Sequence, residues 1–290
     1  MPQKDSVKIN KNPANEFKVP KSILKTGKTL QFISINLATK FAIKLFQTPI
    51  KYRAPEREKM MAKSAQKEMV YIPNIDKTIM TYSYGFSKRK VLLIHGWSGR
   101  GTQMYKIADS LLENGFMTIS FDAPAHGLST GKTTLMLEFV ECIKVLEEKY
   151  GSFEIGIGHS LGGMALLNSV KEGTKLDKII TIGAGDLISD IIKNFVNKLE
   201  LKPIIQEKIK LFFYKKYLRN IDDYSASVAA TSVKKPTLVV HDTKDKEVAV
   251  SCAYNIRQNL EQGQLLITNN LGHNRILKDD FVIKQLVEFI

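Results

Sequence analysis

Residues 155–163 read Ile-Gly-Ile-Gly-His-Ser-Leu-Gly-Gly, and no other stretch constrains the fold as much. Ile155 and Ile157 alternate with glycines as a short buried strand does, and Met164 to Leu167 begins an apolar helical run. Between them, Gly158 to Gly162 spell G-x-S-x-G around Ser160. A serine at such a strand-to-helix turn sits on a strained backbone that pushes its hydroxyl out at the sheet edge. The flanking glycines keep Cβ atoms out of a crowded turn. The first amides of the following helix point at the same spot, where an oxyanion could be held.

The rest of the chain supplies the elements such a turn needs. Residues 67–73 and 78–84 read as strands joined by a turn at Pro73–Asp76. Val91–Ile94 is a fully apolar strand running into His95-Gly96-Trp97-Ser98-Gly99. A helix over 103–114 is closed by Gly115. The strand 116–121 leads into Asp122-Ala123-Pro124-Ala125-His126-Gly127-Leu128-Ser129. A helix over 134–150 then precedes the serine stretch. Later strands fall at 178–182, 237–241 and 265–268, with helices at 251–260 and 279–290. Apolar strands alternating with helices predict an α/β chain whose mainly parallel sheet is covered on both faces. Residues 186–230 interrupt the alternation with basic, aromatic helical sequence, as an inserted cap would.

Charge is uneven. Of the net +14, residues 1–70 carry 15 basic against 5 acidic residues and residues 186–220 carry 8 against 4. The remainder balances at 20 against 20. Residues 1–27 read as a loosely packed arm, and 28–47 as one wide amphipathic helix, favoured to pack on the main domain over lying on a membrane. A short charged helix follows at 57–66. The expected division is therefore a basic extension over 1–66 and a main domain over 67–290. Solubilising lysines are the favoured reading of the charge. Peripheral contact with an anionic membrane is kept as an alternative, and nucleic acid is disfavoured because aromatics, Phe17 aside, do not interleave with the lysines of 1–27. No secretory signal is visible and the apolar part of 30–46 is too short to span a bilayer, so a cytoplasmic protein is expected. Cys142 and Cys252 lack metal-ligand spacing and read as ordinary buried thiols.

Four motifs in order (HGW after one strand, DAPAHGLS after the next, GHSLGG, then HDTKD with a late GH) make residues 68–290 resemble the α/β-hydrolase family. The resemblance implies Ser160 as nucleophile and His273, after the last strand, as general base. It implies a carboxylate after the strand 237–241, where Asp245, followed by Val248, is preferred to Asp242, with Asp186 a remote third. The amides of Trp97 and Leu161 would form the oxyanion hole. Asp122 is implied to be structural. No metal or cofactor is expected. The implied activity is hydrolysis of a carboxylic ester, with an acyl chain suited to the aromatic cap. Amide or thioester hydrolysis and a non-catalytic receptor are the alternatives.

Overall fold

The computed structural model describes residues 19–290. Its centre is one eight-stranded sheet in the order β1-β2-β4-β3-β5-β6-β7-β8. The strands are β1 (Gln66–Ile72), β2 (Lys77–Tyr84), β3 (Lys90–Ile94), β4 (Met117–Asp122), β5 (Ile155–His159), β6 (Lys178–Ile182), β7 (Thr237–Asp242) and β8 (Gly263–Thr268). β2 pairs antiparallel with both β1 and β4, and every other pairing is parallel. This is the mainly parallel, helix-covered sheet that the alternation of strands and helices predicts.

The near-continuous apolar runs of β3, β5, β6 and β7 follow from burial on both faces. Because side chains alternate along a strand, Leu92 and Ile94 enter one core with Ile119, Phe121, Phe139 and Leu166. Val91 and Leu93 enter the other with Ile107, Ile157, Ile182 and Leu286. Helices α5 (Met136–Tyr150), α6 (Leu161–Lys171), α9 (Ala226–Ala230) and α10 (Ser251–Gln258) line the first face; α4 (Tyr105–Glu113) and α12 (Asp280–Phe289) line the second. Two short helices, α3 (Lys59–Ser64) and α11 (Gly272–Arg275), complete the main body.

The N-terminal segment departs from expectation. One helix was expected over 28–47; two are found, α1 (Lys21–Ile33) and α2 (Ile35–Phe46). Ser34 between them is extended at φ −161°, ψ 128°, with its carbonyl receiving the Ala38 amide at 3.1 Å. Serine favours this flanking position over a helix interior, which an apolar stripe does not reveal. The expected loose arm over 1–27 is corrected at 21–27, which are helical; residues 1–18 lie outside the described residues.

The sequence 186–220 likewise divides, into α7 (Ile188–Lys198) and α8 (Ile204–Tyr217). Glu200 is left-handed at φ +54° and Pro203 sits at the threshold of α8, where its missing N–H is harmless. A third core joins α2 to these helices, with Ala38, Ala42 and Ile43 packed among Ile192, Val196, Ile205, Ile209 and Phe213. Of the cysteines, Cys142 is buried and Cys252 only partly so.

Candidate active site

Ser160 sits between β5 and α6 with φ 52° and ψ −120°. For a residue with a Cβ this backbone region costs on the order of 1–3 kcal/mol and persists only where the surroundings impose it. Here they do. The Ser160 amide donates to the Ile182 carbonyl at 2.9 Å, and its carbonyl accepts from Gly163 at 3.0 Å and Met164 at 3.3 Å. The start of α6 also lies directly against the end of β3. A Cβ on Gly162 would stand 2.3 Å from the Ile94 carbonyl oxygen and 2.6 Å from that of His95. That contact places Leu161, whose amide is too early in α6 to have an intrahelical partner, beside the loop carrying Trp97.

His273 lies in α11, just after β8, and is buried. Its Nδ1 donates to Asp245 Oδ2 at 2.6 Å, which makes Nε2 the acceptor nitrogen of the neutral tautomer. The other Asp245 oxygen accepts from the amides of Glu247 at 2.8 Å and Val248 at 2.9 Å. Burial opposes ionisation of Asp245, but the hydrogen bond from His273, with those two amides, holds its carboxyl below the usual range. Asp242 is occupied elsewhere, accepting from Thr268 Oγ1, Leu271 N and Lys244 N, and so ties β7 to the loop after β8. Asp186 accepts from Ser227 N and Asn255 Nδ2 at the foot of the cap. Of the three acids weighed from sequence, the structure brings only Asp245 to His273.

Two further imidazoles support this pair. His159 Nε2 donates to the His273 carbonyl at 3.0 Å. His241 Nε2 donates to the Val248 carbonyl at 3.1 Å and stands 3.5 Å from Asp245 Oδ2. Burial pushes both below the ordinary histidine range, His159 to about 3, so neither competes for the aspartate as a cation. Gly183, at the end of β6, completes the cradle: a Cβ there would lie 3.3 Å from His273 Nδ1 and 3.5 Å from Asp245 Oδ2. It directly follows Ile182, whose carbonyl holds the serine amide.

The loop after β3 is pinned by two more neutral histidines. His95 Nδ1 donates to the Gly96 carbonyl at 2.7 Å, and its Nε2 accepts from Ala123 N at 2.9 Å. His126 Nδ1 donates to the Pro124 carbonyl at 3.0 Å, and its Nε2 accepts from Ser98 N at 2.9 Å. An imidazolium would turn each accepting nitrogen into a donor facing an amide. Burial keeps both rings neutral, at about 4 for His95 and about 3 for His126. The Trp97 indole packs edge-on to His126 at 5.6 Å and remains part-exposed. Asp122 accepts from Gly101 N, Tyr82 Oη and Leu128 N, so its side chain ties β2 to the loops after β3 and β4.

Residues 90–197 match a family model described as alpha/beta hydrolase fold. The chain is an α/β-hydrolase-fold protein. No curated protein sequence matches it. Among solved structures, a lipase candidate from Acinetobacter baumannii AYE aligns with a TM-score of 0.61 and 18% identity, over 96% of this chain and 97% of that one. An esterase from Exiguobacterium antarcticum aligns at 0.60 and 16% identity, over 77% of this chain and 99% of the esterase. A bromoperoxidase from Bacillus anthracis gives the same four values. At such identities the likeness is one of fold.

Within this α/β-hydrolase frame, some site residues lay outside the sequence reading. The segment before β1 reaches the loop after β3: Ile50 N donates to Ser98 Oγ at 2.9 Å and Arg100 Nη2 to the Tyr52 carbonyl at 2.9 Å. Buried Glu58 lies 3.5 Å from Arg100 Nε and accepts from Thr102 Oγ1 at 2.9 Å. Gly183 carries a sequence signal, a glycine directly after a strand. Among the described residues, no cluster of histidine, cysteine and carboxylate side chains is arranged to hold a metal ion.

Proposed function

We propose that the chain is a serine hydrolase that cleaves a carboxylic ester through an acyl-enzyme on Ser160. The observation that carries this reading is the His273–Asp245 hydrogen bond of 2.6 Å, cradled by Gly183 next to the residue that fixes the Ser160 amide. With Nδ1 committed to Asp245, His273 Nε2 is the nitrogen free to accept a proton. In the reaction the Ser160 Oγ–H gives its proton to Nε2 as Oγ bonds to the ester carbonyl carbon. The carbonyl oxygen, now negative, is held by the Trp97 and Leu161 amides. Collapse expels the alcohol, which takes the proton from Nε2. Water then attacks the acyl carbon with the same base and acid, releasing the carboxylic acid and restoring Ser160.

Resemblance to an esterase and a lipase candidate agrees with an ester substrate. Hydrolysis of a series of p-nitrophenyl esters of increasing chain length tests the reading. Wild-type protein should turn over at least one of them, and Ser160→Ala should lose about 1000-fold or more of that rate. Equal rates for the two proteins would sink the proposal.

A further inference from the structure

We infer that the outer side of α1, α2 and α8 is a docking surface for an anionic lipid bilayer. The third core uses only one side of these helices. On α8, Ile205, Ile209 and Phe213 face inward, while the row Ile204, Lys208, Leu211 and Lys215 runs along the outer side at helical spacing, and Leu218 follows at the left-handed cap. Leu211 is 50% and Leu218 79% exposed. Lys21, Lys25, Lys28 and Phe32 form a corresponding row on α1. That row ends at the corner made by Ser34, where Phe32 is 93% and Ile33 65% exposed.

The segment just before α8 meets α1. The Lys202 amide donates to Gln31 Oε1 at 2.6 Å, and Lys28 pairs with Glu200. Residues 21–46 hold five lysines and no acid. Among the acids of 186–220, Glu200 and Glu207 are already paired, with Lys28 and Lys210, and Asp186 is turned into the foot of the cap. The face therefore presents apolar side chains in a positive field. An interfacial helix has this composition, with the apolar side chains entering the acyl boundary and the lysines meeting anionic headgroups.

Charge selects the occupant. A second copy of this chain would set lysines against lysines. A nucleic acid would be held by these lysines through its phosphates, which leaves no partner for the exposed aliphatic side chains Ile33, Leu211 and Leu218. No described helix is long and apolar enough to cross a membrane, so contact is with the bilayer surface.

This inference stands apart from the catalytic reading, because its test is binding. The full-length chain is sedimented with vesicles of phosphatidylcholine alone and with vesicles containing equal parts of phosphatidylglycerol. Wild-type protein should pellet with the anionic vesicles and not the neutral ones, and high salt should release it. Phe32→Asp and Leu218→Asp should each lower the partition coefficient about tenfold or more with an unchanged melting temperature. Wild-type protein left in the supernatant with anionic vesicles overturns the inference. So do variants that bind as wild type, or a wild-type dimer in solution that Phe32→Asp dissociates.

Discussion

Gly96 packs so closely on Ser160 that a Cβ on the glycine would lie 2.8 Å from the serine Cβ. The loop after β3 and the Ser160 turn are thus one packed unit. Gly96→Ala should push them apart and displace the Trp97 amide. A shift approaching 1 Å at a reacting group costs on the order of 100-fold, so kcat should fall by about 10- to 100-fold, read by ester turnover at saturation. An unchanged kcat would mean this contact does not set the site.

Asp245 and Asp242 should separate cleanly. Asp245→Asn removes the acceptor that holds Nδ1–H of His273 and should reduce kcat by about 10,000-fold, as loss of the correct tautomer does in other triads. Asp242→Asn leaves that pair untouched but spoils part of a three-donor site. It should cost about 1–3 kcal/mol of stability with a small effect on rate. Denaturant titrations and kinetics on both variants check this, and the reverse ranking would reassign the acid.

The sheet and the serine turn were legible because both rest on local pattern. Ile155 to Gly163 compresses strand, turn and helix into nine residues, and the apolar runs of the parallel strands stand out against their loops. The Asp245–His273 pairing was legible only through motif order, since 28 residues separate the two. The anchoring of the loop after β3 was not legible at all. Nothing in the spacing of Ile50, Tyr52 and Glu58 signals that they meet Ser98, Arg100 and Thr102. Those contacts depend on where the segment between α2 and α3, with only a short 3-10 turn at Glu56–Glu58, meets the loop after β3. The break at Ser34 was hidden for a related reason, since apolar periodicity continues across it while the backbone turns.

That anchoring has a measurable energy. Arg100 and Glu58 are both buried, and the Arg100 guanidinium also stacks on the Tyr52 ring at 4.4 Å. Arg100→Met strands the Glu58 carboxylate with Thr102 as its remaining partner. Breaking a buried pair from one side costs about 3–5 kcal/mol. Adding Glu58→Gln should recover part of the loss. Urea unfolding of the single and double variants measures it, and a single variant within 1 kcal/mol of wild type would show that the pair does not anchor the loop.

Four buried histidines predict how stability depends on pH. His95, His126, His159 and His241 are all held below the ordinary value near 6.5, chiefly by burial. A depressed folded-state value means the unfolded chain binds protons first as pH falls. Stability is therefore full above about pH 6.5 and declines below it, by up to about 1.4 kcal/mol per pH unit for each histidine. Asp242 and Asp245, also held low, add to the loss at still lower pH. Melting temperatures should be level from pH 8 to about 7 and fall steadily towards pH 5. A flat profile across that range would contradict neutral, buried imidazoles.

The most direct measurement is the intact mass of the protein after treatment with a fluorophosphonate, followed by peptide mapping. An activated Ser160 should take up one phosphonyl group, mapped to the peptide containing Gly158–Gly162. Ser160→Ala should take up none, and His273→Ala should react at least about 100-fold more slowly. An unmodified wild-type protein, or an adduct on any other residue, would contradict Ser160 as the nucleophile.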